Sequence, residues 1–147
     1  YPQHRGDFAP STSLSLALGR AMSAYDYIQA QRMRTRALAI FARVFREVDV
    51  ILSPATAVPA PAVPPQALSQ GWSDLSVTTE LMRYVFSGNF TGLPAITFPV
   101  GYNEQGLPLA MQAMGRHWEE HLLLRVAYNA ECRFTRRLPP VYFDLLG

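Results

Sequence analysis

The chain has 147 residues, of which 49% are hydrophobic and 16% charged, with a net charge of +2; this is ordinary globular composition, sufficient for one domain and one core. All 13 basic residues are arginines, spread from Arg5 to Arg137 rather than massed with aromatic platforms, so nucleic-acid binding has no support. A lone cysteine, Cys132, excludes an internal disulfide and a multi-thiolate zinc site, and Arg43, Arg46, Glu47 and Asp49 interrupt the apolar runs so that no segment is able to span a bilayer.

The first ten residues read as loop and carry no basic stretch followed by an apolar run, so no signal peptide is expected. With no initiator Met, the chain is expected to be a piece of something longer. A short helix is predicted over 11–19. Ser23 and Asp26, three residues apart, form a capping box with Asp in place of the usual Glu, opening a longer helix that reaches about residue 47. Ala24, Ile28, Gln31, Thr35, Leu38, Ala42 and Phe45 recur at spacings of four and three and define its expected inner stripe. Arg32, Arg36 and Arg43 share another, solvated face.

Val50, Ile51 and Leu52 make a short buried strand that delivers the loop Ser53-Pro54-Ala55-Thr56. Prolines 54, 59, 61, 64 and 65 deny the following segment ladder donors. With alanine and valine between the prolines, it is expected to wrap over a surface as polyproline-like chain rather than act as a flexible linker. Gly71-Trp72-Ser73-Asp74 reads as a turn, and 77–86 as a helix with Leu81, Val85, Met82 and Phe86 inward and Gly88 and Asn89 at its carboxyl end. Asn89-Phe90-Thr91 is formally a glycosylation sequon, taken as chance without a secretory signal.

Ala95 to Phe98 is apolar on both faces except for Thr97, which predicts a central, covered strand. Asn103-Glu104-Gln105-Gly106 turns the chain, and 109–114 returns as a second strand in which Gln112 must find backbone partners. A last helix starts near Trp118, with Glu119 and Glu120 in its first turn, Leu122, Leu123, Val126, Ala127 and Ala130 as its stripe, and Arg133, Arg136 and Arg137 at its exit. Helices mixed with short covered strands predict a layered α/β fold, a mixed sheet covered by helices.

No complete active site emerges from these residues. His117 and His121, four apart, share a predicted helix face, but Glu119 and Glu120 do not give the His-Glu-x-x-His order of a zinc protease. Neither a Gly-x-Ser-x-Gly elbow nor a glycine-rich phosphate loop occurs, and no metal or cofactor is expected.

Six motifs nevertheless stand in a telling order: Asp49-Val50-Ile51-Leu52-Ser53-Pro54-Ala55-Thr56, Asn89-Phe90-Thr91-Gly92-Leu93-Pro94-Ala95-Ile96, Pro99-Val100-Gly101, Gly106-Leu107-Pro108-Leu109, Gln112-Ala113-Met114-Gly115 and Leu122-Leu123-Leu124-Arg125-Val126-Ala127. Each is weak alone; together they make residues 1–147 resemble the carboxyl-terminal part of a single amidase signature domain. The helix over 23–36 and the run Gly71-Trp72-Ser73-Asp74-Leu75-Ser76 are most similar to the fatty acid amide hydrolase branch, its plant-like members in particular.

The resemblance implies hydrolysis of a carbon–nitrogen bond by a Ser-Ser-Lys triad, in which a neutral Lys takes a proton through a bridging serine and the second serine attacks the carbonyl. Without Lys or a Gly-Gly-Ser-Ser-Gly-Gly run, no catalytic residue carries over, and the chain alone is expected to be inactive. The resemblance also implies that this portion walls the substrate pocket. In the glutaminyl-tRNA amidotransferase branch an Asp seven residues before the helix-ending Asn meets the polar head of glutamine; counted from Asn89 that position is Met82, whose thioether suits an acyl chain. Thr78, Thr79, Met82 and Phe86, with Thr56 on the facing loop, are the candidate wall.

The expected function is thus part of a fatty acid amide or N-acylethanolamine hydrolase, with an acyl amide substrate and the amino-terminal part of the same domain as partners. Alternatives are a non-catalytic truncated paralogue or binding subunit, and an amidase of polar amides or of the glutaminyl-tRNA amidotransferase type. Membrane association through regions outside the chain and homodimerisation stay open, and a cytoplasmic or endomembrane location is expected. Cut from its partner strands, the half-sheet is expected to be poorly soluble on its own.

Overall fold

A computed structural model describes residues 2–67 and 72–137. A 3-10 helix over Pro2–Asp7, closed by His4 Nδ1 against Asp7 at 2.9 Å, occupies part of the stretch expected to be loop. Helix α1, Pro10–Ala21, has its proline in the first turn, where the missing N–H costs nothing. Helix α2, Ala24–Val44, begins at the predicted capping box: Asp26 N donates to Ser23 Oγ at 3.2 Å, and Ser23 N donates to Asp26 Oδ2 at 2.9 Å. The Ser23 hydroxyl, donating to Asp26 Oδ2 at 2.7 Å, and then the Ser23 amide hold the Asp26 carboxyl below its ordinary pKa.

Three strands form one antiparallel sheet in the order β1-β3-β2, where β1 is Ile51–Pro54, β2 Ala95–Tyr102 and β3 Pro108–Met114. Ile51 pairs with Met114 and Pro54 with Met111 on one side of β3; Ala95 pairs with Met114 and Phe98 with Met111 on the other. The central strand is therefore β3, and the expectation of a central Ala95-to-Phe98 strand is corrected. β2 lies at an edge with Ala95 and Thr97 exposed, because β1 takes the free side of β3. The ladder slips between Pro99 and Gly101, where proline cannot donate. The β2–β3 turn forms as read: Gly106 adopts φ 80, and Asn103 Oδ1 accepts from Gln105 N and Leu107 N.

Side-chain alternation splits the core. On one face of the sheet Met114 meets Phe45 and Leu93, with Phe41 and Ile51 beside them. On the other, Ala113 and Phe98 lie beneath Leu123 of helix α5, Glu120–Glu131. The predicted stripe of α5 holds: Leu123 is buried and Leu122, Val126, Ala127 and Ala130 are half-buried. Its start does not, since Trp118 sits at φ 67 in a turn; His117 precedes the helix and shares no helical face with His121.

The stripe of α2 is also shifted. Arg34, Ala37, Leu38, Phe41 and Phe45 face inward, whereas Ala24, Ile28 and Gln31 are exposed in the half of the helix that the sheet does not reach and Thr35 and Ala42 lie off the packed face. The predicted single helix over 77–86 is two: α3, Leu75–Met82, and α4, Phe86–Thr91, separated by a turn in which Val85 N reaches Met82 O at 3.1 Å. Gly88 and Asn89 lie inside α4, and Gly92, at φ 75, ends it. Thr91 is buried and donates to Ser87 O at 2.6 Å, which makes the sequon unfit as an acceptor.

Residues 59–63 are exposed rather than packed on a surface, and Gly71 of the expected turn lies outside the described residues. The chain exposes 11689 Å² for 16.4 kDa, where a compact globular protein of that mass exposes about 7,500 Å². Tyr25, Tyr27, Ile28, Met33 and Leu75 are among the large side chains left in solvent.

Candidate functional site

The carboxyl end of β1 hands the chain to a loop that runs beside α3. Ala55 N bonds Ala110 O at 2.9 Å, continuing the ladder, and Ala57 N bonds Glu80 O at 3.3 Å, tying loop to helix. Helix α3 is positioned by Asp74, whose Oδ1 accepts from Ser76 N at 2.9 Å and Val77 N at 3.2 Å. The Ser76 hydroxyl first, then the Val77 amide, hold the Asp74 carboxyl below its ordinary pKa.

The loop sets Thr56 beside α3, which carries Thr78, Thr79 and Met82, and Phe86 opens α4. Thr78 and Thr79 donate their hydroxyls to Asp74 O and Leu75 O at 2.8 and 2.7 Å, and Thr56 donates to Val58 O at 2.8 Å. Each hydroxyl keeps accepting capacity for a ligand while its proton is held by the backbone. A shallow concavity of about 380 Å³ lies among Val58, Ser76, Val77, Thr79 and Glu80. Only Thr79 of the wall residues lines it.

Met82 and Phe86 depart from the expected inward orientation. They are 37% and 57% exposed, while Leu81 and Val85 turn inward, because adjacent residues stand about 100° apart around a helix and the face that buries Leu81 and Val85 leaves their neighbours outside it. The break between α3 and α4 frees Tyr84 O to accept from Gln112 Nε2 at 3.3 Å, so the 7% exposed amide of β3 is satisfied by backbone as its position demands. Asn89, the landmark for Met82, lies two residues before the last residue of α4.

Two arginines hold this arrangement and were not singled out by the sequence. Arg116, just after β3, donates to Phe45 O, Val48 O, Asp49 and Glu119 and lies over the Phe45 ring at 5.7 Å. The Glu119 hydrogen bond, then Asp49, hold its guanidinium above its ordinary pKa against partial desolvation. Arg34 donates Nε to Phe90 O at 2.9 Å and Nη2 to Thr91 O at 3.3 Å. Its signal was the 34, 38, 41, 45 spacing, which places it on the packed stripe rather than among the solvated arginines. Larger concavities lie elsewhere, one of about 470 Å³ among Leu38, Phe41, Phe45, Leu93 and His117, and one of about 850 Å³ among Tyr102, Leu107, Phe134 and Arg137.

The wall candidates offer hydroxyls bonded to nearby backbone, a thioether and a phenyl ring, and nothing among them supplies a nucleophile with its base. No helix among the described residues is long and apolar enough to cross a membrane.

The sequence model of the Amidase family matches residues 3–124. The chain is 46% identical to a fatty acid amide hydrolase of Medicago truncatula over 138 residues, covering 92% of this chain and 23% of that protein. It is 43% identical to a fatty acid amide hydrolase of Arabidopsis thaliana, with the same coverage. Among solved structures, a chain from a vestigial protein complex, described in connection with the origins of an s-triazine catabolic enzyme, superposes with a TM-score of 0.73 at 25% identity, over 92% of this chain and 30% of that one. The chain thus spans about a quarter of the length of the curated relatives it matches. By this match over most of its length, it belongs to the amidase signature family.

Proposed function

We propose that this chain forms the sheet-completing, acyl-facing part of a serine amidase that hydrolyses fatty acid amides or N-acylethanolamines. The Ser-Ser-Lys chemistry belongs to sequence that the chain does not contain. The observation that carries this reading is the 46% identity with a fatty acid amide hydrolase across nearly the whole chain. Met82 supports it: an apolar, uncharged side chain stands where recognition of a polar amide would call for a carboxylate.

In this reading the chain contributes binding rather than bond-making. Met82 and Phe86 border the acyl chain, Thr56, Thr78 and Thr79 border its polar end, and displacement of water along the acyl chain supplies affinity. The amino-terminal part of the domain is the chain's principal partner, covering the exposed apolar side chains. Membrane association uses regions outside this chain, and the proposed setting is the cytoplasm or an endomembrane surface.

The test is hydrolysis of long-chain N-acylethanolamines by the full-length protein carrying this chain, with the isolated chain as control. Release of ethanolamine by the former alone is expected. A full-length protein that cleaves no acyl amide refutes the proposal, and an upstream sequence without Lys and a serine–glycine-rich signature would favour a non-catalytic paralogue.

A further inference from the structure

We infer that Arg34 is a positioning residue for the acyl-facing wall, acting through α4 on Phe86; the inference rests on the reading of that wall given above. Helix α4 has only six residues and no side-chain cap at its start. Its position is imposed from outside, since so short a helix has no stability of its own. Gly92 in the left-handed region closes the end with Gly92 N bonded to Gly88 O at 2.7 Å, but the carbonyls of Phe90 and Thr91 still need donors. Both find them in one side chain, Arg34, reaching across from α2.

The choice of arginine is physical. A guanidinium offers donors on separate nitrogens in a fixed plane, so Nε and Nη2 address successive carbonyls at once, and its charge suits the negative end of a helix. A lysine ammonium has the charge without the fork. Nothing crowds the contact: a Cβ on Gly92 would lie 3.7 Å from Arg34 Nη2.

Arg34 does not act alone on this segment. Phe45, farther along the same face of α2, packs with Leu93 immediately beyond α4. At the other end, Gln112 of β3 holds the carbonyl of Tyr84. Phe86 therefore stands on a piece of chain pinned at both ends, by the central strand before it and by α2 after it. Losing the Arg34 bonds loosens the second pin to the Leu93 packing alone, and α4 then shifts about the Tyr84 end and moves Phe86, whose exposed ring has little packing of its own to retain it.

The experiment compares Arg34→Met and Arg34→Lys in the full-length protein, with one long-chain and one short-chain N-acylethanolamine. The Met variant is expected to raise KM for the long substrate roughly tenfold, the scale of one charge-assisted hydrogen bond. Its kcat and the short-substrate KM should change less than about twofold, and Lys should recover part of the loss. Equal losses on both substrates, or a lowered Tm with KM unchanged, overturn the inference. Amide hydrogen exchange separates this from failure of the functional reading. Faster exchange at residues 89–93 in Arg34→Met, with α5 unchanged, retains Arg34 as the anchor of α4 even if the wild type cleaves no acyl amide. Unchanged exchange at 89–93 overturns the inference on its own.

Discussion

Gly115, the residue after β3, lies against Leu123 of α5, and adding one methyl there tests how the sheet and helix fit. An ideal Cβ on Gly115 would lie 3.2 Å from Leu123 Cδ2, 3.3 Å from Cγ and 3.5 Å from Cδ1. The Cγ distance matters most, because a branch point cannot swing aside as a terminal methyl does. Leu123 is 2% exposed and held among Phe98 and Ala113, so it has nowhere to retreat. Overpacking of this kind costs about 1–3 kcal/mol, offset by about 0.4–1 kcal/mol from the reduced freedom of the unfolded chain, so Gly115→Ala should lose about 0.5–2 kcal/mol net. Leu123→Ala alone should lose about 2.7–5 kcal/mol through the cavity it leaves. In the double variant the new methyl enters that cavity, and the pair should lose about 1–2 kcal/mol less than the sum of the singles. Urea-dependent hydrogen exchange in β3 and α5 of the full-length protein reads these changes locally. Additivity within about 0.5 kcal/mol would refute the claim that this contact sets the sheet-to-helix distance.

Three further outcomes are expected. Asp74 has its folded pKa depressed by the bonds that cap α3, so its stabilisation is present above the ordinary carboxylate range and is lost as pH falls through the folded value. Asp74→Asn should flatten the acid limb of a stability-against-pH curve, and an unchanged limb would dismiss the linkage. Gly92→Ala should lose about 1–2 kcal/mol through backbone strain at φ 75 rather than through a clash, with Gly92→Asn losing less; equal losses in unfolding measurements would point to crowding. Met82→Asp should lower the long- to short-chain ratio of kcat/KM by at least about tenfold by setting a charge beside the acyl chain. An unchanged ratio would remove Met82 from the wall.

What the sequence disclosed were the features written in neighbouring residues. The Ser23–Asp26 box, the Asn103–Gly106 turn and the stripe of α5 each depend on chemistry within a few positions, and each formed where its residues stand. The features that escaped are set by distant partners. Which strand becomes central depends on β1 meeting β3 across some sixty residues of sequence, and β2 reads as covered because its composition does not say which face lacks a neighbour. The break between α3 and α4 is favoured by Gln112 claiming the Tyr84 carbonyl, a group a continuous helix would have used itself. The candidate wall residues came from resemblance alone and two of them, Met82 and Phe86, face outward, whereas Arg34 was hidden among arginines of identical chemistry until the inward face of α2 was known.

Both borders of the three-stranded sheet carry a proline: Pro54 closes β1 after four residues, and Pro99 sits at the slip in β2. A foreign strand docking on either border would soon meet a position with no amide hydrogen, and on β2 a local change of twist as well. Fibril growth needs a long, uniform track of donors and acceptors, and neither border provides one. The poor solubility expected of the isolated chain is therefore assigned to its exposed apolar side chains, such as Leu75 and Trp118, rather than to pairing between sheet borders.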